Sequence, residues 1–259
     1  MSSNQSENSL PSDAAGFAPP QSWSGLRRFL PKRMQPLARG VRRYFKRRAL
    51  SLDEPYYTVY PYTQVHPVRQ QNIVRLAQRV DEQKVEGALV ECGVLDGGQA
   101  GLMAWATANS SPPRSIHLFD AWEGLPPPSA QDGAEASRWE GQVVGSPARV
   151  RRVMKKLRVD PSRLHFHKGW FQDVFPHVQI EKIALLHIDP DFYDAVKLCL
   201  DRWYPHVTPG GYIQIDDYAA FSGCHRAVNE FLEAHPDVQL ETTGEFTKAY
   251  FFRKPLLPA

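Results

Sequence analysis

The sequence predicts an α/β fold: a doubly wound, mostly parallel sheet with helices on both faces and a C-terminal antiparallel strand. Three observations predict it. From about residue 62 onward, short apolar runs alternate with helical patterns. The run Ala88-Leu89-Val90-Glu91-Cys92 breaks into a glycine turn, Gly93 to Gly98, that opens a helix. Two later runs end in carboxylates: Ile188-Asp189-Pro190-Asp191 and, after Pro209-Gly210-Gly211, Ile215-Asp216-Asp217. Asp189 and Asp217 lie 28 residues apart, about one strand–helix–strand unit, so parallel strands set them side by side on the edge where such sheets bind ligands.

The chain has 259 residues, 42% of them hydrophobic, enough for one good-sized domain with appendages. Its net charge of +3 conceals a split. Residues 1–50 hold ten Lys/Arg against Glu7 and Asp13, whereas the remainder holds 21 basic and 26 acidic side chains. A strongly basic arm therefore precedes a mildly acidic body. Cys92, Cys199 and Cys224 are odd in number with no paired spacing, which fits reduced thiols in a cytoplasmic protein. No apolar stretch reaches the length of a membrane span, and the polar N-terminus has no apolar h-region of a signal peptide.

Residues 1–25, rich in Ser, Pro, Ala and Asn, cannot bury a core and are expected to be a disordered tail. Residues 26–55 form a basic, partly amphipathic arm. In it Leu26, Phe29, Leu30, Met34, Leu37, Val41, Tyr44 and Phe45 recur at spacings of three and four between Arg and Lys, while Pro31 and Pro36 interrupt any single helix. Two readings stand: a solvated linker, or a segment that docks peripherally on an anionic membrane surface or an acidic partner. No fold motif for a nucleic-acid partner accompanies the arm.

The domain proper spans 56–259. Pro67 to Val80 places Ile73, Leu76, Ala77 and Val80 on one helical face. After the first strand, Ala88 to Cys92, come a helix from Gln99 to Ala108 and a second strand from Ser115 to Asp120. Residues 124–148 are Pro, Gly and small polar residues, an insertion of the kind that makes lids. Arg149 to Leu157 and Cys224 to His235 read as helices. Leu164 to His167, Ile183 to Ile188 and Tyr212 to Ile215 read as three further strands, and Phe246 to Arg253 as the last.

The chemistry concentrates at the strand ends. Crowded like charges repel, so Asp189, Asp191, Asp216 and Asp217 call for a hard cation, which favours oxygen ligands. In the first turn Glu91 stands before Gly93, and the glycines at 93, 97 and 98 do not make the G-x-G-x-x-G of dinucleotide sites. Adenosylmethionine, cationic at sulfur and carrying an ammonium, suits such an acid better than a pyrophosphate does; a tight turn that simply needs glycine is the alternative. Asp120, ending the second strand, is placed to accept both ribose hydroxyls of an adenosine ligand, or else is a cap or turn residue. Gly169, Trp170 and Phe171 can wall an adenine slot, with Asp173 accepting from the adenine amino group, or the aromatics can pack in the core. His165 and His167 share a strand face; without a third ligand the structural reading is favoured over a metal pair.

In order along the chain stand Val90-Glu91-Cys92-Gly93, Asp120-Ala121-Trp122-Glu123-Gly124-Leu125-Pro126, Gly169-Trp170-Phe171, Ile188-Asp189-Pro190-Asp191 and Pro209-Gly210-Gly211-Tyr212-Ile213-Gln214-Ile215-Asp216-Asp217-Tyr218. This series closely resembles the macrocin-type sugar O-methyltransferases, which methylate sugar hydroxyls on macrolides and aminocoumarins. The resemblance runs from about Tyr62 to Arg253. It implies the class I, Rossmann-like methyltransferase fold, adenosylmethionine, a divalent metal such as magnesium, and a homo-oligomer. By position it implies Asp189, Asp216 and Asp217 as metal ligands and Asp191 as general base. This chain has Pro190 where the family usually has glycine, and Phe192 where catechol-type relatives place a lysine base. The expected activity is adenosylmethionine- and magnesium-dependent methyl transfer to a sugar hydroxyl of a glycosylated natural product or glycan. An NAD-dependent oxidoreductase competes but lacks the glycine spacing. A non-catalytic nucleoside-binding scaffold competes but has no use for intact acids.

Overall fold

The computed structural model describes residues 52–256. The expected polar tail and nearly all of the basic arm lie outside the described residues. Helix α1 (Pro67–Glu82) starts on Pro67, with His66 Nδ1 accepting from Val68 N, and buries Ile73, Leu76, Ala77 and Val80 as its periodicity predicts. Then follow β1 (Ala88–Cys92), α2 (Gly98–Ala106), β2 (Ile116–Asp120), α3 (Pro147–Lys156), β3 (Leu164–Lys168), β4 (Ile183–Ile188), α4 (Tyr193–Trp203), β5 (Val207–Ile215), α5 (Ser222–Ala234), β6 (Glu241–Thr243) and β7 (Ala249–Arg253).

These strands form one seven-stranded sheet in the order β3-β2-β1-β4-β5-β7-β6. The pairs β3–β2, β2–β1, β1–β4 and β4–β5 are parallel, and β7 runs antiparallel to both β5 and β6. Strand order reverses between β1 and β4, so the carboxyl ends of these two neighbours flank the switch point where open α/β sheets bind ligands. One face of the sheet packs Leu89, Leu118 and Leu185 against Leu76, Met103 and Val153 of α1, α2 and α3. The other packs Val90, Leu186 and Ile213 against Leu200, Trp203, Val228 and Phe231 of α4 and α5. Strands covered on both faces read as continuous apolar runs, which is why β1 and β4 were legible without alternation. Among the described residues no helix is long and apolar enough to cross a membrane.

Three details depart from expectation. Strand β5 begins at Val207 rather than Tyr212, with Pro209-Gly210-Gly211 as a bulge within it. Ile183 pairs with Val207, yet Leu185 pairs with Tyr212, so the extra residues on β5 loop out of the ladder, with Gly210 at φ 86°. β6 was not anticipated, because Glu241-Thr242-Thr243 is short and largely exposed and has no apolar alternation. β7 begins at Ala249, and Phe246 lies in the hairpin loop before it, exposed. The insertion 124–148 holds a 3-10 segment, Ala134–Trp139, and is pinned by buried Asp132. Asp132 Oδ1 accepts from Tyr193 N at 2.6 Å and Oδ2 from Ser129 N and Oγ at 2.7 Å, tying the insertion to the N-terminus of α4.

Gly93 lets the two central strand ends meet. It sits at φ 87°, and a Cβ there would lie 2.2 Å from Asp189 O. Gly93→Ala therefore combines a left-handed backbone with a clash against β4 and is expected to cost roughly 2–5 kcal/mol of stability. Urea unfolding measures it, and an unchanged midpoint would mean the strand ends do not need this contact.

Candidate active site

A cavity of about 880 Å³ opens at the carboxyl ends of β1, β2, β4 and β5. Its lining includes Glu91, Gly93, Gln99, Asp120, Gly169, Trp170, Asp189, Asp191, Asp216 and Asp217, together with residues of the 124–148 insertion such as Trp139. The fold thus brings together nearly all of the residues singled out from sequence. Asp173 is left out, exposed in the short helix Phe171–Val174, and so are His165 and His167; none of the three is among the cavity-lining residues.

At the β1 end, Glu91 is buried with Oε1 3.0 Å from His187 Nδ1, while Oε2 has no hydrogen-bond partner. Burial raises the Glu91 pKa, and His187 works against that rise. Gln99, in the first turn of α2, is buried with neither amide atom partnered. Buried polar groups in folded proteins are nearly always paired, so orphaned atoms on two residues that line a cavity fit a polar ligand.

Asp120 is committed to the loops. Its Oδ2 accepts from Val94 N and Leu95 N, both at 2.8 Å, and its Oδ1 accepts from Trp122 N at 2.6 Å. Trp122 Nε1 donates to Leu95 O at 2.8 Å, locking the β1 and β2 loops together. A carboxylate offers about four acceptor positions, so about one remains for a ligand rather than the pair expected for a ribose diol.

At the β4 and β5 ends the four aspartates converge. Burial, then the charges of Asp216, Asp217 and Asp191, hold Asp189 well above the usual carboxylate range; burial and Asp217 do the same for Asp191. Asp217 is also raised, by burial and by Asp216. Burial works to raise Asp216 as well, but Arg69 and His187 outweigh it and its pKa is lowered. Arg69, from α1, donates through Nη1 to Asp216 Oδ2 at 2.5 Å and to Asp216 O at 2.8 Å, and lies 3.7 Å from Asp217 Oδ1. Asp191 has φ 63°, and Phe192 N donates to Pro190 O at 2.7 Å. This i→i+2 bond closes a γ-turn of the rarer, positive-φ form. Pro190 is accommodated by that turn, and the aspartate held in it lines the cavity. Backbone strain of this kind is retained where surrounding structure over-determines it.

The donor set fits a divalent cation. Asp216 Oδ1 and Asp217 Oδ2 are buried without partners, and carboxylates crowded together need a counter-charge. Among the described residues, one group of possible metal-ligating atoms lies mutually within 4.8 Å, that of His187, Asp189 and Asp216. It overlaps the expected trio in Asp189 and Asp216, while Asp217 is drawn towards Arg69. His165 and His167 do not belong to it. They stack on His117, at ring distances of 4.7 and 5.2 Å, and His167 Nε2 lies 3.0 Å from His117 Nδ1.

The family model described as macrocin O-methyltransferase matches residues 7–254. The chain belongs to this family. Demethyldecarbamoylnovobiocin O-methyltransferase of Streptomyces niveus is 31% identical over 177 residues, covering 66% of this chain and 67% of its own. A relative from Streptomyces olivaceus, named for 4'-O-methylation of a dimethoxy-rhamnosyl derivative of tetracenomycin C, is 28% identical over 195 residues, covering 71% of this chain and 74% of its own. The solved structure of the O-methyltransferase NovP superposes with a TM-score of 0.66 at 27% identity, over 75% of this chain and 82% of that one. This methyltransferase therefore has the class I fold, and neither the oxidoreductase nor the scaffold reading is favoured.

Sequence reasoning missed His187, Arg69 and Gln99 of this methyltransferase. His187 had a signal: a lone polar residue inside the apolar run Ile183–Ile188 must be paired once buried. Arg69 had none, because it meets Asp216 across 147 residues of sequence.

His187 is wholly buried between carboxylates of β1 and β5, 3.0 Å from Glu91 and 3.8 Å from Asp216. Burial works to lower its pKa, but the hydrogen bond to Glu91 and the charges of Glu91 and Asp216 prevail and raise it to about 9 from 6.5. Its stabilising charge is thus fully present below 6.5 and lost as pH rises through about 9. His187→Gln is expected to cost about 3–5 kcal/mol at neutral pH, from carboxylates left without their cation. The difference from the parent should shrink above pH about 9. Urea unfolding across pH measures it, and a pH-independent difference would mean His187 is neutral when folded.

Proposed function

We propose that this methyltransferase moves the methyl group of adenosylmethionine to a sugar hydroxyl of a glycosylated natural product or glycan, with a divalent cation such as magnesium. One observation carries the reading: a single cavity joins orphaned Glu91 and Gln99 atoms at the β1 end to the aspartate cluster at the β4 and β5 ends. The tetracenomycin relative's name, which places its reaction on a rhamnosyl group, supports the sugar acceptor.

In this reading Glu91 Oε2 accepts from the cofactor's ammonium, and Gln99 Nε2 donates to its carboxylate. Asp120 spends its remaining acceptor position on the ribose, and Gly169 and Trp170 wall the adenine. Asp173, exposed, contributes little. Asp189, Asp216 and Asp217 would hold the magnesium ion, which supplies acidification and orientation of the acceptor hydroxyl when bound. Asp191 would take the proton of the acceptor hydroxyl, and adenosylmethionine when bound would supply the methyl group that the oxygen receives. A general base works best with a pKa near the operating pH, and the upward shift of Asp191 moves it in that direction.

Two variants separate the roles. Asp217→Asn should weaken magnesium binding, with activity partly recovered at high magnesium. Asp191→Asn should keep adenosylhomocysteine and metal binding but lose turnover by about a hundredfold to ten-thousandfold, since an amide cannot accept the proton. Methyl transfer across a magnesium titration checks both, and rescue of Asp191→Asn by magnesium would make Asp191 a ligand.

The metal reading has a second test that needs no acceptor. Carboxylates raised in the folded state bind more protons than in the unfolded chain, so cation-free stability should fall as pH rises through their shifted range. Magnesium should raise the thermal midpoint most at the alkaline end and least where the aspartates are protonated. A melting scan over pH with and without magnesium reads this directly. A midpoint indifferent to magnesium at every pH would sink the metal assignment.

A further inference from the structure

Helices α4 and α5 begin soon after the two acid-bearing strand ends, and neither has a side-chain cap of its own. Their N-cap residues are Phe192 and Phe221, which offer no side-chain acceptor to the free N–H groups of a first turn. A residue of the 124–148 insertion supplies one. Asp132 is 2% exposed, and its Oδ1 accepts from Tyr193 N, the first residue of α4, at 2.6 Å. Its backbone O accepts from Ser222 Oγ, the first residue of α5, at 2.9 Å. Its Oδ2 accepts from Ser129 N and Oγ, so all three of its oxygens are engaged. A carboxylate at the start of α4 also suits the helix dipole.

The junction is built from both sides. A Cβ at Gly223 would lie 1.9 Å from Asp132 Oδ1 and 2.9 Å from Tyr193 N, so glycine at this point of α5 is what lets the carboxylate reach α4. The two N-cap rings meet edge to face at 5.8 Å, and Trp139 of the insertion meets Phe221 in the same way at 6.0 Å. Asp191 stands two residues before Tyr193, in the positive-φ turn closed by Phe192 N and Pro190 O. Backbone of that kind persists where its surroundings over-determine it. On the strand side the turn is held by Asp189 N bonding to Cys92 O, and on the helix side by Asp132 bonding to Tyr193 N.

We propose that Asp132 is a positioning residue for methyl transfer: by capping α4 from the insertion, it fixes the direction of Asp191 relative to the cavity wall that carries Trp139. It acts through the turn at 190–192 and not on the acceptor, because its oxygens are already engaged. Misplacing a reacting group by about 1 Å can cost roughly a hundredfold in rate, which is what such a cap prevents. The inference rests on the reading of Asp191 as the base. Its test reads the turn itself, so it stands or falls without any methyl transfer.

The test is amide hydrogen exchange of the full chain, resolved by NMR. The readouts are Phe192 N–H, whose bond closes the turn, and the insertion amides between residues 129 and 140. Asp132→Ala should speed both by about tenfold or more, since hydrogen bonds to a charged group are lost. Ser222→Ala frees the insertion from α5 but leaves the carboxylate on Tyr193, so it should speed the insertion amides alone. A residue that only held the insertion down would give these two variants the same pattern. Gly223→Ala should reproduce Asp132→Ala from the α5 side, although alanine is otherwise the better helix former. Added to Asp132→Ala, it should change Phe192 no further, because the carboxylate it displaces is already gone. If Asp132→Ala fails to fold, Gly223→Ala carries the comparison with Ser222→Ala. Parental exchange at Phe192 in Asp132→Ala or Gly223→Ala, or equal acceleration of Phe192 by Ser222→Ala, would overturn the proposal.

Discussion

The concentration of buried and half-buried acid at three adjacent strand ends is the constraint on which the rest of this structure depends. Glu91, Asp189, Asp191, Asp216 and Asp217 share one wall of a cavity, and Arg69 and His187 are the cationic partners recorded for them. Charges withdrawn from water are costly unless paired, and the two cations do not balance five acids. The upward shifts of Asp189, Asp191 and Asp217 express that imbalance. A fold that kept this arrangement for stability alone would do better with apolar side chains. The proposed cation would relieve that imbalance.

The sheet makes the crowding mechanically tolerable. β1 and β4 touch through Gly93 and Asp189, with Asp189 N donating to Cys92 O at 2.8 Å. Asp216 N in turn donates to Ile188 O at 3.0 Å, so the acid-bearing ends are fixed by backbone bonds and cannot splay apart to relieve repulsion. The same strands place Glu91, His187 and Gln214 side by side in register. Gln214 Oε1 accepts from Asn72 of α1, one turn from Arg69, at 2.8 Å. A continuous polar seam therefore runs beneath the cavity from the β1 loop to α1. Networks of this kind hold geometry best when every member is satisfied, and in this seam Glu91 Oε2 and His187 Nε2 have no hydrogen-bond partner. The far walls are held as firmly, the β1 and β2 loops by Asp120 and Trp122 and the 124–148 insertion by Asp132.

The sequence by itself determined the sheet's parallel core and the location of the acids. β1, β4 and the end of β5 are apolar runs that stop at charged residues, and such runs form strands wherever helices cover both faces. Asp189, Asp191, Asp216 and Asp217 were legible because all four stand within three residues of the end of such a run, and the position of a strand end follows from local pattern. The Pro-Gly-Gly bulge in β5 and the polar strand β6 were not, because a bulge is defined by what the neighbouring strand does and β6 exists only by pairing with β7. Tertiary structure alone decided how the acids are balanced. Arg69 reaches Asp216 from a helix 147 residues away, and His187 finds Glu91 across 96. It also turned Asp120 from a free acceptor into a clamp on the neighbouring loop and left Asp173 outside the cavity lining. Hydrogen bonds and ion pairs between distant segments depend on side-chain direction and burial, which local spacing does not encode.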